Sequence, residues 1–99
     1  MIVIGKGARP GEALHMDVIR RPIAGEATEI HVDEMHGPIH IRVTSGGSIV
    51  FSHDCNDPPC HERFMVPIGV GAGGQLQVHV IDAHGGALHD SVHIDAVGP

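Results

Sequence analysis

Ile39-His40-Ile41-Arg42-Val43-Thr44 and Leu76-Gln77-Val78-His79-Val80-Ile81 decide the fold of this chain. In both stretches an aliphatic residue alternates with a polar one, up to the closing Ile81. Successive side chains of a strand point to opposite faces, so each stretch has one apolar and one polar side. The same phase runs through Leu14, Met16 and Val18, through Ile30 and Val32, and through Val92 and Ile94. No stretch carries a helical stripe, and 14 Gly and 7 Pro interrupt the chain at short intervals. The expectation is an all-β fold: one antiparallel β-sandwich of about seven or eight strands filling residues 1–99.

Two hairpin loops follow from the glycine pairs. Ser45-Gly46-Gly47 and His84-Gly85-Gly86 each fit a three-residue loop with a left-handed last position. That choice sets Val43 opposite Ile49, Ile41 opposite Phe51 and Val78 opposite Val92, keeping apolar faces together. It also sets His79 opposite Ser91, with His89 and His93 as diagonal neighbours.

The run Pro10-Gly11-Glu12 before a strand is similar to bacterial immunoglobulin-like and macroglobulin-type modules. So are Val66-Pro67 and the later Leu76-x-Val78-x-Val80-x-Asp82-x-x-Gly85. The resemblance implies an immunoglobulin-like sandwich. Such modules serve adhesion, spacing, docking and catalysis alike, so the resemblance assigns no activity.

Composition removes several classes of function. A net charge of −6 with only 6 Lys and Arg excludes a nucleic-acid binder, which neutralises phosphates with clustered cations. With no Trp, no Tyr and 2 Phe, there are no aromatic platforms for bases or sugars. No segment has the apolar length of a membrane span. Read with Met1 as the native start, the chain is cytoplasmic. Read as what remains after a removed signal peptide, it is periplasmic or secreted.

Gly5-Lys6-Gly7 after an apolar strand lacks the third glycine of a dinucleotide loop, since Pro10 stands there. Gly69 to Gly74 lacks the Lys-Ser/Thr of a phosphate loop and reads as a connection. His89-Asp90-Ser91 has the residue types of a hydrolytic triad, but consecutive strand residues diverge.

The cluster His53-Asp54-Cys55-Asn56-Asp57-Pro58-Pro59-Cys60-His61 carries more chemistry. Asn, Asp and two prolines make a turn between the cysteines. Three outcomes stand open: a local disulfide, a zinc or copper site using thiolate and imidazole, or free structural thiols. His53, Cys55, Cys60 and His61 are the first metal candidates. Their spacing departs from cupredoxins, because a long hairpin follows Met65, and from the binuclear copper motif of oxidase subunits.

The second metal candidates are His79, His89 and His93, from a chain with 10 His. His15, His31, His40, His79, His89 and His93 all take the solvent phase of a strand. Imidazoles titrate near pH 6.5, so this load swings the net charge over the pH range about 8 to 5. Ile19, Val50 and Ile81 fall on the outer phase and would mark a contact surface if grouped.

The leading expectation is a non-enzymatic sandwich module that binds a partner protein or assembles with itself. The alternative from another class is a zinc or copper protein. A hydrolase or lyase using histidine as acid and base ranks last, because no positioned partner is visible.

Overall fold

A computed structural model describes residues 1–5, 14–33, 38–57, 59–68, 74–83 and 85–95. These form β1 (Ile2–Gly5), β2 (His15–Val18), β3 (Ala27–Val32), β4 (Ile39–Ser45), β5 (Ser48–Cys55), β6 (Cys60–Met65), β7 (Gln75–Asp82) and β8 (Ala87–His93). Two four-stranded sheets result, ordered β2-β1-β3-β6 and β5-β4-β7-β8. No α-helix occurs among the described residues. Pro10-Gly11-Glu12, most of the Gly69–Gly74 run and His84 lie outside them.

The alternation places the core as expected. Ile39, Ile41 and Val43 on β4 and Leu76, Val78 and Val80 on β7 are buried, and β4 and β7 pair at the centre of their sheet. From the other sheet, Ile2, Ile4, Ile30 and Val32 complete the apolar layer. Each fully buried aliphatic side chain stabilises the fold by roughly 1.5–3 kcal/mol. On β2 the pattern weakens: Leu14 is buried, Met16 is half-buried and Val18 is exposed.

Both hairpins differ from the expected register by one step of two residues. The β4–β5 loop is the two-residue Gly46-Gly47, with both φ angles positive (57° and 84°) and Ser45 opposite Ser48. This is the turn whose twist matches a hairpin, and only residues tolerant of the left-handed region supply it. A two-residue loop would oppose apolar to polar faces, and a β-bulge corrects this. The register shifts between Val43 and Thr44, so that Val43 faces Phe51, Thr44 faces Ile49 and Val50 is the extra residue. Consequently Ile49 is exposed, while Val50 and Phe51 pack against the core. Ile41 faces His53 instead of Phe51.

The β7–β8 loop turns one residue earlier than expected. The Asp82 amide donates to the Gly86 carbonyl (2.9 Å), and Gly85 holds the left-handed position (φ 85°). The Gly86 amide also donates to the Asp82 carboxylate (2.7 Å), closing the turn. Val78 therefore faces Asp90, Leu76 faces Val92, and His79 faces His89. A shift of two keeps every side chain on its face, which is why the burial pattern survives a changed register.

One pairing is not antiparallel. β1 runs parallel to β3, with Ile2 opposite Ile30 and Ile4 opposite Val32. β1 and β2 form an antiparallel hairpin, and residues 19–26 then carry the chain past the start of β1 to β3 on its far side. Alternation reports which face a residue takes and is silent about strand direction.

Candidate functional site

β5 and β6 are the edge strands on the same side of the two sheets, joined by the crossing Asn56 to Pro59. Their inward side chains meet in three successive rungs. Cys55 and Cys60 form a disulfide with a Cα–Cα distance of 6.2 Å. His53 Nε2 lies 3.1 Å from Glu62 Oε1. Phe51 and Phe64 stack with ring centroids 4.9 Å apart. Each step of two along β5 thus meets a step of two back along β6. The disulfide does more than close a loop: it ties one sheet to the other.

This rung geometry sorts the first metal candidates. His53, Cys55 and Cys60 share the inner phase, whereas His61 points to the opposite, outer face. There its ring stacks on His31 at 4.0 Å. Glu62 takes the place beside His53. Sequence reading overlooked Glu62 because an acid on an inward phase breaks the apolar alternation. The available signal was Cys60-x-Glu62-x-Phe64 running back against Phe51-x-His53-x-Cys55.

The second candidates do not converge. His79 and His89 are directly opposite and stack at 4.1 Å, and His93 pairs further along with Gln75. Gln77 Oε1 accepts from the Ser91 hydroxyl (3.0 Å) and lies 3.1 Å from His89 Nε2. Among the described residues, no three His, Cys, Asp or Glu side chains are grouped to hold a metal ion.

The histidine load has a different explanation in the structure. His15, His31, His40, His53, His61 and His93 each lie within ion-pair distance of a carboxylate: Asp17, Glu29, Asp54, Glu62, Asp33 and Asp95 respectively. Most of these pairs are exposed, where an ion pair stabilises by about 0–1 kcal/mol.

His79 differs. Desolvation by its neighbours, then the His89 ring and the Arg42 guanidinium, hold its pKa below the ordinary imidazole value. His89 on β8 and Arg42 on β4 flank it in one row. As pH falls through the ordinary value of 6.5 toward the lower folded value, the unfolded chain binds more protons than the folded one. Acidification through that window therefore destabilises the fold. A His79→Gln variant should lose melting temperature less steeply than wild type between about pH 7.5 and 5. Parallel profiles for the two proteins would refute this role for the stacked pair.

A groove of about 480 Å³ opens at the other end of the first sheet, lined among others by Arg20, Arg21, Pro22, Thr28, Glu29 and Arg63. The β1–β3 pairing begins with Ile2 opposite Ile30, and Met1 and Glu26 also line the groove. The Asp33 amide donates to Ile4 on β1, and the Glu26 carbonyl accepts from Val66 after β6. Backbone alternation along β3 then turns the Ala27 amide and carbonyl and the Glu29 amide toward the groove. No backbone hydrogen bond joins them to residues 20–23.

Three of the 6 basic residues of this acidic chain line that groove. Arg63 bonds Glu29 at 3.2 Å and Arg21 lies 3.6 Å from Asp95. Arg20 has no carboxylate within ion-pair distance among the described residues. Hydrogen bonds from His31 first, and then from Arg63, hold the Glu29 carboxyl below its ordinary pKa.

Comparison with protein-family models, with curated proteins and with solved structures finds no match for this chain. No helix among the described residues is long and apolar enough to cross a membrane.

Proposed function

We propose that this chain is an immunoglobulin-like sandwich module that docks an extended, carboxylate-bearing segment of a partner protein in the groove beside β3. The strand order supports the fold assignment. β4, β7 and β8 lie in the order of strands C, F and G of that fold, with β5 on the outside, and β3 pairs with β6 as B pairs with E.

One observation carries the docking reading: the backbone donors and acceptor of Ala27 to Glu29 turn toward a groove lined by Arg20, Arg21 and Arg63. An extended segment entering there pairs with Ala27 to Glu29. Main-chain hydrogen bonds give such strand addition its affinity, and flanking side chains give its specificity. Arg20, with no acidic partner among the described residues, selects a carboxylate. In a chain of net charge −6, three arginines at one groove, two of them already paired to Asp95 and Glu29, favour an acidic segment there. The module acts by binding, without chemistry on its ligand.

The test uses peptides selected from a random display library against the wild-type domain. Acidic, extended sequences should be enriched, and the selected peptides should shift the amide signals of Ala27 to Glu29. Arg20→Glu should weaken them about tenfold or more, roughly 1.4 kcal/mol. Peptides that bind wild type and Arg20→Glu equally, or that shift signals elsewhere, would contradict the reading. So would a concentration-dependent dimer that buries the groove, since the occupant would then be a second copy.

A further inference from the structure

We propose that Cys55, Cys60, His53 and Glu62 form a metal site for a zinc-class divalent cation, closed while the cysteines are disulfide-bonded and opened by reduction. The site is independent of the groove beside β3.

The argument starts from the rungs between β5 and β6. Four donor side chains hang from the inner phase of two facing edge strands, on adjacent rungs. His53 Nε2 and Glu62 Oε1 are already 3.1 Å apart, close enough to share one ion. The sulfur rung is one two-residue repeat away, about 6.6–6.8 Å along the backbone, and metal binding requires the freed sulfurs to turn toward the His53–Glu62 rung. Two thiolates, one imidazole and one carboxylate are all zinc ligands, and a Cys-x4-Cys spacing lies within the range of zinc-binding cysteine pairs.

Oxidation state controls the donors. In the disulfide each sulfur is bonded to the other and supplies no thiolate; among the described residues no metal-holding group is formed in this state. A dithiol reductant delivers two electrons: the S–S bond breaks, two thiols form, and the reductant becomes a disulfide. A divalent cation then displaces both thiol protons to solvent and takes the neutral His53 nitrogen and the Glu62 carboxylate. Zn–S bonds of about 2.3 Å in tetrahedral geometry set the sulfurs about 3.8 Å apart. A Cα–Cα distance of 6.2 Å accommodates that separation by side-chain rotation alone.

Access and shape agree with this use. Cys55 is buried, whereas Cys60 is half-buried and so offers the sulfur at which a reductant attacks. The His53 and Glu62 side chains are about one-third exposed, leaving an entry path for the ion. His61 takes no part, because it lies on the outer face stacked on His31. The consequence is a clamp in either state: a covalent bond joins the two sheets when oxidised, and a metal joins them when reduced.

Cobalt(II) and zinc(II), added to the full chain after reduction with a phosphine, test the proposal. The reduced protein should bind one cobalt with sulfur-to-cobalt charge transfer and tetrahedral ligand-field bands, and zinc should displace it. The oxidised protein should show neither band. Cys60→Ser should remove most of the charge-transfer intensity. His53→Ala and Glu62→Gln should each weaken zinc binding about tenfold or more, and His61→Ala should leave it unchanged. Reduced wild type without a thiolate–cobalt band overturns the proposal. So does zinc binding that is insensitive to His53→Ala and Glu62→Gln. Circular dichroism guards against a folding artefact: if reduction removes the β signal, zinc must restore it, and failure to do so also overturns the proposal.

Discussion

Ile41→Ala is expected to lower the unfolding free energy by about 3–4 kcal/mol, within the range for large-to-small changes at fully buried aliphatic positions. Ile41 is 0% exposed and sits on β4, held between β5 and β7. Its backbone is paired on both sides, so the strand cannot slide inward to fill the space. The remaining cavity adds to the lost transfer free energy. A domain of this size has about 5–15 kcal/mol in total, so the loss is a large share of its stability. At about 4–8 °C per kcal/mol, the melting temperature should fall by roughly 12–32 °C. Denaturant titration checks it: the midpoint should drop with an unchanged slope. A change below about 1 kcal/mol would mean that this position is not closed in the folded chain.

Removing the disulfide should have the second largest effect. The ring closed by Cys55 and Cys60 is short, with a sequence separation of 5. Loop-closure entropy for a ring this small amounts to about 2 kcal/mol, giving a fall of roughly 10 °C in melting temperature for Cys55→Ala with Cys60→Ala. Part of the loss is local, because Cys55 is buried in the core and alanine leaves its sulfur unreplaced. The rest follows from position: the bond joins the edge strands of two different sheets, and without it the His53–Glu62 and Phe51–Phe64 rungs are the side-chain pairs described on that side. Thermal melts of the oxidised wild type and the double variant measure the difference. Identical melts would mean that the two remaining rungs close the sandwich unaided.

Much of the candidate chemistry was visible as residue types, and little of it as neighbours. Cys55 and Cys60 are conspicuous in the sequence, which leaves a local disulfide, a metal site and free thiols open. That the disulfide spans two sheets was not legible, because β6 carries Glu62 on its inner phase and reads poorly as a strand. The groove beside β3 was invisible. Arg20 and Arg21 adjoin in the chain, but Arg63 joins them only through the β3–β6 pairing. The triple of His79, His89 and His93 came apart when the β7–β8 turn fell one residue earlier than the glycines suggested.

By itself the amino-acid sequence determined the buried face of β3, β4 and β7, but not of β2 or β5, where Val18 and Ile49 are exposed and Val50 packs against the core. Ile39, Ile41, Val43, Leu76, Val78, Val80, Val92 and Ile94 are inside because strand geometry sends every second side chain to one face, a property of the chain at that point alone. Tertiary structure decided who stands beside whom: β1 along β3 in parallel, His79 against His89, His53 against Glu62. A shift of two residues or a reversed neighbour leaves every face unchanged. Only turn geometry and the joint packing of both sheets distinguish such arrangements, and neither is written in any one segment.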